Sequence, residues 1–411
     1  MKKLMHNLFA SLLTGASVAL VYFVFSAVVD QLQDFIWFTL FDTSENKILA
    51  IPVAVCGATV LAITLKAMAA KGHQEIGHNL TGFAAKANQI NLNWLMRSLL
   101  VGAVSLIAGA SLGPEAILLP VSYGIAYIIA KKIGVSQPAQ FGFIGIIVLL
   151  AAFFNAYAAA LFPLAFISFK KSADIKKSIM VIGFGLVAIA TGLGVLRLLH
   201  DREGYIYLSP IGDVTITPFL IGIAVVVAAV ATLIPLLLDA LVVPLQRLYD
   251  RLNRHWLIGA VVAGLGIGIF YFLLGPIAYF SGHSGLGELL KDNSELTSLQ
   301  LAGLAIGKLL ITAWSLATIY RGGVVFPQLM VGMSIALLLS GGIPDSSWLF
   351  TLLVASFFGI FTGALGSVIV AIAFVVSLFG IPSLPLVAAA VVGSLLIKLL
   401  FRRQFAAKSA L

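Results

Sequence analysis

Charge is what this sequence has least of. Only 10% of its 411 residues are Asp, Glu, Lys or Arg, and 61% are hydrophobic. Soluble globular domains carry about 25% charged and about 45–50% apolar residues. Sixteen acidic side chains stand against 28 phenylalanines, and the mean hydropathy is +1.09. Too little polarity is available to cover a water-facing surface. That excludes a soluble enzyme, a nucleic-acid-binding domain and a disordered chain, and leaves a polytopic membrane protein. The excess of 25 Lys+Arg, +9 overall, therefore reads as loop charge that sets topology and touches anionic lipid headgroups, with no nucleic-acid partner. A single cysteine, Cys56, sits in an apolar run, so neither a disulfide framework nor a thiolate metal site is expected. HExxH, Walker and CxxC patterns are all missing, and the one GxSxG match, Gly109-Ala-Ser-Leu-Gly113, lies inside an apolar run with no His or Asp beside it. No catalytic constellation, cofactor or metal is expected, and the chain reads as a non-enzyme.

What is present is a series of apolar stretches, near 7–29, 47–68, 97–112, 116–130, 140–169, 179–199, 217–245, 256–280, 299–319, 324–340, 347–378 and 382–401. A spanning helix needs about 20 apolar residues. Several stretches are shorter than one crossing and others longer. The first follows Lys2-Lys3 but is too long for a secretory h-region and lacks a small-residue cleavage site, so it reads as a membrane helix. Breaks fall at Gly109, Gly113 and Pro114; at Gly322, Gly323 and Pro327; at Gly363 and Gly366; and at Gly380, Pro382 and Pro385. Irregular backbone is tolerated inside a bilayer only where protein or a water-filled cavity satisfies it, a transporter or channel pattern. Basic clusters at Lys2-Lys3, Lys131-Lys132, Lys170-Lys171, Lys176-Lys177, Arg247/Arg251/Arg254 and Arg402-Arg403 place both termini in the cytoplasm of a multi-pass cell-membrane protein, an inner-membrane one if bacterial. The expected organisation is one transmembrane domain over 1–411, with repeat halves near 30–200 and 215–400 and no soluble regulatory domain.

The halves announce themselves by register. Gly72-His73, Gly77 and Leu80 recur 210 residues later at Gly282-His283, Gly287 and Leu290, and the same offset relates Gly113 to Gly323. Duplicated halves, each with an interrupted helix, place a binding site where the breaks converge. Glu115 lies at the first break, in Ser111-Leu-Gly-Pro-Glu-Ala116, with no other acid between Glu75 and Asp174. An acid in an apolar setting is a functional candidate by default. Gly before Pro at a helix start puts it against free N–H groups and the positive dipole end. The bland alternative is an acid on an ordinary interfacial helix. At the second break, Arg321-Gly-Gly-Val-Val-Phe-Pro327, Val325 stands where Glu115 does. Such amide clusters bind anions, and a dehydrated halide needs several weak donors. Glu115 then acts as a tethered competitor: ionised, it fills the anion's place; protonated, it withdraws.

These residues resemble the CLC chloride channel and chloride/proton antiporter family. Ser111-Leu-Gly-Pro-Glu-Ala116 is similar to its first-half G-[KR]-E-G-P signature in the S-L-G-P-E form, and Gly322-Gly-Val-Val-Phe-Pro327 to its G-G-x-F-x-P signature. Lys308-x-x-x-Thr312 occupies the helix leading into the second, and Phe154-Asn155-Ala156 looks like the F-N-A-P-L-A segment after the first. The similarity spans roughly residues 70–380. It implies an all-α fold of two inverted-topology repeats with tilted and broken transmembrane helices. It also implies a homodimer with one anion pathway per subunit, Glu115 as the external gating glutamate, and an anion site at Gly113, Pro114, Glu115, Ala116, Gly323, Val324, Val325 and Phe326.

Departures accompany the likeness. The family's G-S-G-I-P element is replaced by Ala70-Lys71-Gly72-His73-Gln74, and no Tyr follows Tyr320. Lys71, Gly72 and His73 are candidate pore-mouth residues, weighed against a solvated loop. The position of the family's internal proton-relay glutamate falls near Ile167, with Asp174 the nearest acid. The expectation is therefore chloride or small-anion transport by passive, channel-like conduction. The alternatives are a chloride/proton antiporter with a different proton path and a secondary transporter of another small anion. Lys308 either supports the pore field or snorkels to the interface.

Overall fold

A computed structural model describes residues 2–69, 90–154, 175–199, 214–291, 296–341 and 346–406. Among these, helices are α1 (Lys2–Gln33), α2 (Ala50–Ala69), α3 (Leu92–Ile107), α4 (Glu115–Ile133), α5 (Pro138–Phe154), α6 (Ile175–Leu199), α7 (Pro218–Leu252), α8 (Trp256–Leu274), α9 (His283–Lys291), α10 (Ser298–Ala317), α11 (Val325–Ser340), α12 (Ser346–Leu365), α13 (Val368–Phe379), α14 (Leu384–Leu400) and α15 (Arg402–Ala406). Among the described residues nine helices are long and apolar enough to cross a membrane, and four apolar helices are shorter.

Helix ends are set by local chemistry. Asn91 caps α3 by accepting from the Trp94 N–H at 2.9 Å. Thr297 and Gln300 form a capping box at the start of α10, which satisfies two of the four donors a helix start leaves unpaired. Helix α7, with 35 residues, is about 52 Å long at 1.5 Å per residue. The hydrocarbon core is about 30 Å thick, so the helix is longer than one crossing needs. It runs through Pro235 and Pro244 and takes in the basic segment expected to follow the 217–245 run. The 347–378 run is two helices: α12 ends at Leu365, Gly366 takes φ +69°, and Ser367 caps α13. Likewise the polar stretch after Gly282 contains a nine-residue helix, α9.

Helices approach closely where side chains are small, as membrane packing favours. Gly264 and Gly268 of α8 lie on the backbone of α2 at Val55 and Ile51, and Gly359 and Gly363 of α12 on that of α7 at Ala228 and Thr232. At the centre, two short helices end and two begin.

Candidate functional site

Helix α3 ends at Ile107 and α4 begins at Glu115; α10 ends at Ala317 and α11 begins at Val325. The two intervening turns cross. Gly113 N–H donates to Gly323 O at 2.7 Å, and Gly323 N–H donates to Gly113 O at 2.6 Å. A second reciprocal pair flanks the first. Ser111 N–H donates to Ser315 Oγ at 3.1 Å, and Arg321 N–H donates to Ser105 Oγ at 2.7 Å. Every partner has its equivalent 210 residues away: Ser105 and Ser315, Ser111 and Arg321, Gly113 and Gly323. The sequence offset is thus a local two-fold axis, and buried backbone that would otherwise be unpaired is satisfied across it.

Glu115 breaks that symmetry. It is only 5% exposed, and its Oε1 accepts from the Val325 N–H, the first residue of the other half's helix, at 2.8 Å. Oε2 is buried with no hydrogen-bond partner. The acid lies against its own helix start, as its place at the head of α4 leads one to expect, and also reaches across to occupy an amide of the second break. Both crossing glycines are needed for this. A Cβ on Gly323 would collide with the Glu115 carboxyl group, and one on Gly113 with both that group and Phe326. An ionised carboxylate out of water costs several kcal/mol unless paired. For the ionised form, the Val325 N–H at a helix N-terminus supplies that pairing.

The eight residues Gly113, Pro114, Glu115, Ala116, Gly323, Val324, Val325 and Phe326 are brought together at this crossing. Pro114 sits just before the first helical residue with φ −75°. Phe326 is buried against Phe153, edge-on at 5.5 Å. Val324, Val325 and Ala116 keep partial exposure. Lys71, Gly72 and His73 lie outside the described residues, as do Asn155, Ala156, Ile167 and Asp174. Lys308 does not snorkel. It is fully buried, and its Nζ donates to Ala278 O at 2.9 Å and Phe280 O at 2.6 Å. His283, at the start of α9, holds its Nδ1 2.8 Å from Ser281 Oγ.

Several residues that build the site were not singled out from the sequence. Ser105 and Ser315 hold the turns; extending the 210-residue register to every polar position near the breaks would have found both serines. Gln33 Nε2 donates to Leu106 O at 2.9 Å, Trp37 Nε1 to Ile107 O at 3.0 Å and Tyr271 OH to Gly109 O at 2.8 Å. No local pattern marks those three. No cluster of metal-ligating side chains occurs among the described residues.

Comparison with known proteins fits this geometry. A family model described as voltage gated chloride channel matches residues 49–398. No curated protein matches the sequence. A structure described as a slow cyanobacterial Cl−/H+ antiporter aligns with TM-score 0.75 and 16% identity, covering 98% of both chains. A CLC-type fluoride/proton antiporter aligns with TM-score 0.76 and 16% identity, covering 96% of both chains. A eukaryotic CLC transporter aligns with TM-score 0.69 and 16% identity, covering 96% of this chain and 72% of that one. At such identity these likenesses show a shared fold. With a family match across most of its length, a CLC-type helical membrane fold and two broken helices crossing at its centre, this chain belongs to the voltage gated chloride channel family and is a multi-pass membrane protein for CLC-type anion transport.

Proposed function

We propose that the crossing of the two breaks is the anion path, that chloride or a related small anion is the substrate, and that Glu115 is its gate. One observation carries this reading: the Glu115 carboxyl group occupies the Val325 N–H, so an acidic oxygen already sits where main-chain donors face an incoming anion. Removing that carboxylate frees the donor. Protonation weakens a bond that is strong because one partner is charged, so acid releases the gate. Flux then rises as pH falls and declines as the carboxylate ionises.

Transport on this reading is passive rather than strictly coupled to protons, because Ile167 stands near the place of the family's internal proton glutamate. Two of the similar structures are described as antiporters, which keeps coupled exchange as the second reading. Each subunit of a homodimer carries one path, and the basic loops hold both termini in the cytoplasm of a cell membrane. Liposomes containing the purified protein test all of this with a chloride gradient and a proton probe. Glu115→Gln is expected to raise flux at neutral pH and to flatten its pH dependence. An unchanged profile would remove Glu115 from the gate, and uphill proton movement driven by chloride would replace passive conduction with exchange.

A further inference from the structure

Gln328 is the one polar side chain of the second helix start that no interaction above uses. It lies in the first turn of α11 and is 2% exposed, and its Oε1 is buried with no hydrogen-bond partner. Buried polar atoms are nearly always satisfied, and an exception needs a missing water, an ion or a function to explain it. Glu115 Oε2 is stranded in the same way.

Position links the two. Gln328 follows Val325 by three residues and Val324 by four, which puts the three on one helical face. Side chains on a helix lean toward its N-terminus, so the Gln328 amide is carried back toward the Val325 N–H that holds Glu115. The start of this helix is its open end: Val324 and Val325 are partly exposed, and Gln328 is the first polar side chain of the buried run from Phe326 to Ser334 behind them. A primary amide has one acceptor end and one donor end of nearly equal size. Half a turn about its last side-chain bond exchanges them without a change of shape.

We propose that Gln328 is a specificity-determining residue of the anion path, offering its carbonyl to the protonated Glu115 carboxyl and its N–H2 to a passing anion. The free main-chain N–H groups of a helix start are donors only and cannot serve both states. Gln328 thus gives the site a side-chain component by which anions are told apart. The idea rests on Glu115 being the gate and deepens that reading.

Two variants test it in the liposome assay, with chloride and nitrate as probes. Gln328→Leu removes both ends of the amide at similar size. It is expected to change the chloride-to-nitrate flux ratio by about five-fold, the effect of losing one hydrogen bond, and to move the rise in flux to lower pH, since protonated Glu115 loses its acceptor. Gln328→Glu, placed in a Glu115→Ala background, is expected to restore a pH-dependent block that the background lacks. A role in packing alone alters the melting temperature in detergent but neither the ratio nor the pH profile. If both variants keep the parental ratio and profile, Gln328 does not face the path. If the unmodified protein passes no chloride at all, it is the proposed function that falls instead.

Discussion

The two turns that cross at the centre share a backbone and differ in charge. In the first, the carbonyls of Leu106, Ile107 and Gly109 are capped by Gln33, Trp37 and Tyr271, neutral side chains from two other helical segments. In the second, the carbonyls of Ile319 and Tyr320 receive the Arg321 guanidinium from within the turn, at 3.2 and 3.1 Å. The first turn leads into Glu115 and the second into Val325. One level further back the contrast recurs. Ser98 of α3 bonds only its own helix, at Trp94 O, while Lys308 of α10, its 210-residue equivalent, reaches three carbonyls of the 278–280 segment. The halves have kept the atoms that join them and diverged in those that carry charge. The main-chain crossing is the scaffold; the electrostatics are specific to each half.

That contrast can be broken most severely at its shared part. Gly323→Val is expected to cost about 3 kcal/mol, the upper end for overpacked core sites, because its side chain must push the Glu115 carboxyl group off the Val325 N–H. Thermal unfolding in detergent, followed by size-exclusion chromatography, measures it. Loss of monodispersity is the expected outcome, and a normal melting curve would mean the crossing yields. Glu115→Ala combined with Gly323→Ala sharpens the result, since it removes the group the new methyl meets and is expected to recover most of the stability.

Lys308→Met comes next. It leaves the carbonyls of residues 278–280 without their donor, at about 1–3 kcal/mol for each stranded group. Ser98→Ala, the matching change in the other half, is expected to stay within about 0.5 kcal/mol, as for a substitution that strands no partner. Equal losses at the two positions would show that Lys308 has no role as a carbonyl cap. Smaller than Lys308→Met and most diagnostic are Ser105→Ala and Ser315→Ala. Each leaves one turn N–H without its acceptor, at about 1–3 kcal/mol, and the two losses should agree within about 0.5 kcal/mol if the axis is a true symmetry of the energetics. Unequal melting shifts would confine the symmetry to geometry.

How much of this was legible in the sequence follows the same division. Register and breaks are local or periodic signals, so Gly113, Gly323 and Glu115 stood out from spacing and from a lone acid in an apolar run. Ser105 and Ser315 obey the same offset but are common residues in apolar helices, where a hydroxyl usually bonds back to its own helix; only the crossing shows that they also accept from the opposite turn. Gln33, Trp37 and Tyr271 were invisible because their partners lie 73, 70 and 162 residues away, distances at which a single sequence holds no pairing information. The boundary inside the 347–378 run was legible too: Gly366, one of the breaks named from the sequence, stands between the end of α12 and the Ser367 cap of α13. Lys308 was left between two roles because a lysine among apolar residues looks the same whether its head reaches the interface or a set of carbonyls.

The reach of Glu115 across to Val325 also bears on how such a molecule can arise. In an ancestor assembled from two identical chains, any acid at the first break would be matched by its twin at the second. Two carboxylates would then meet over the paired glycines, and like charges so close in a dry site do not both ionise. Joining the copies into one polypeptide frees the second position to become valine. A lone carboxyl group on one side of the crossing is therefore an asymmetry open to joined copies and closed to identical ones.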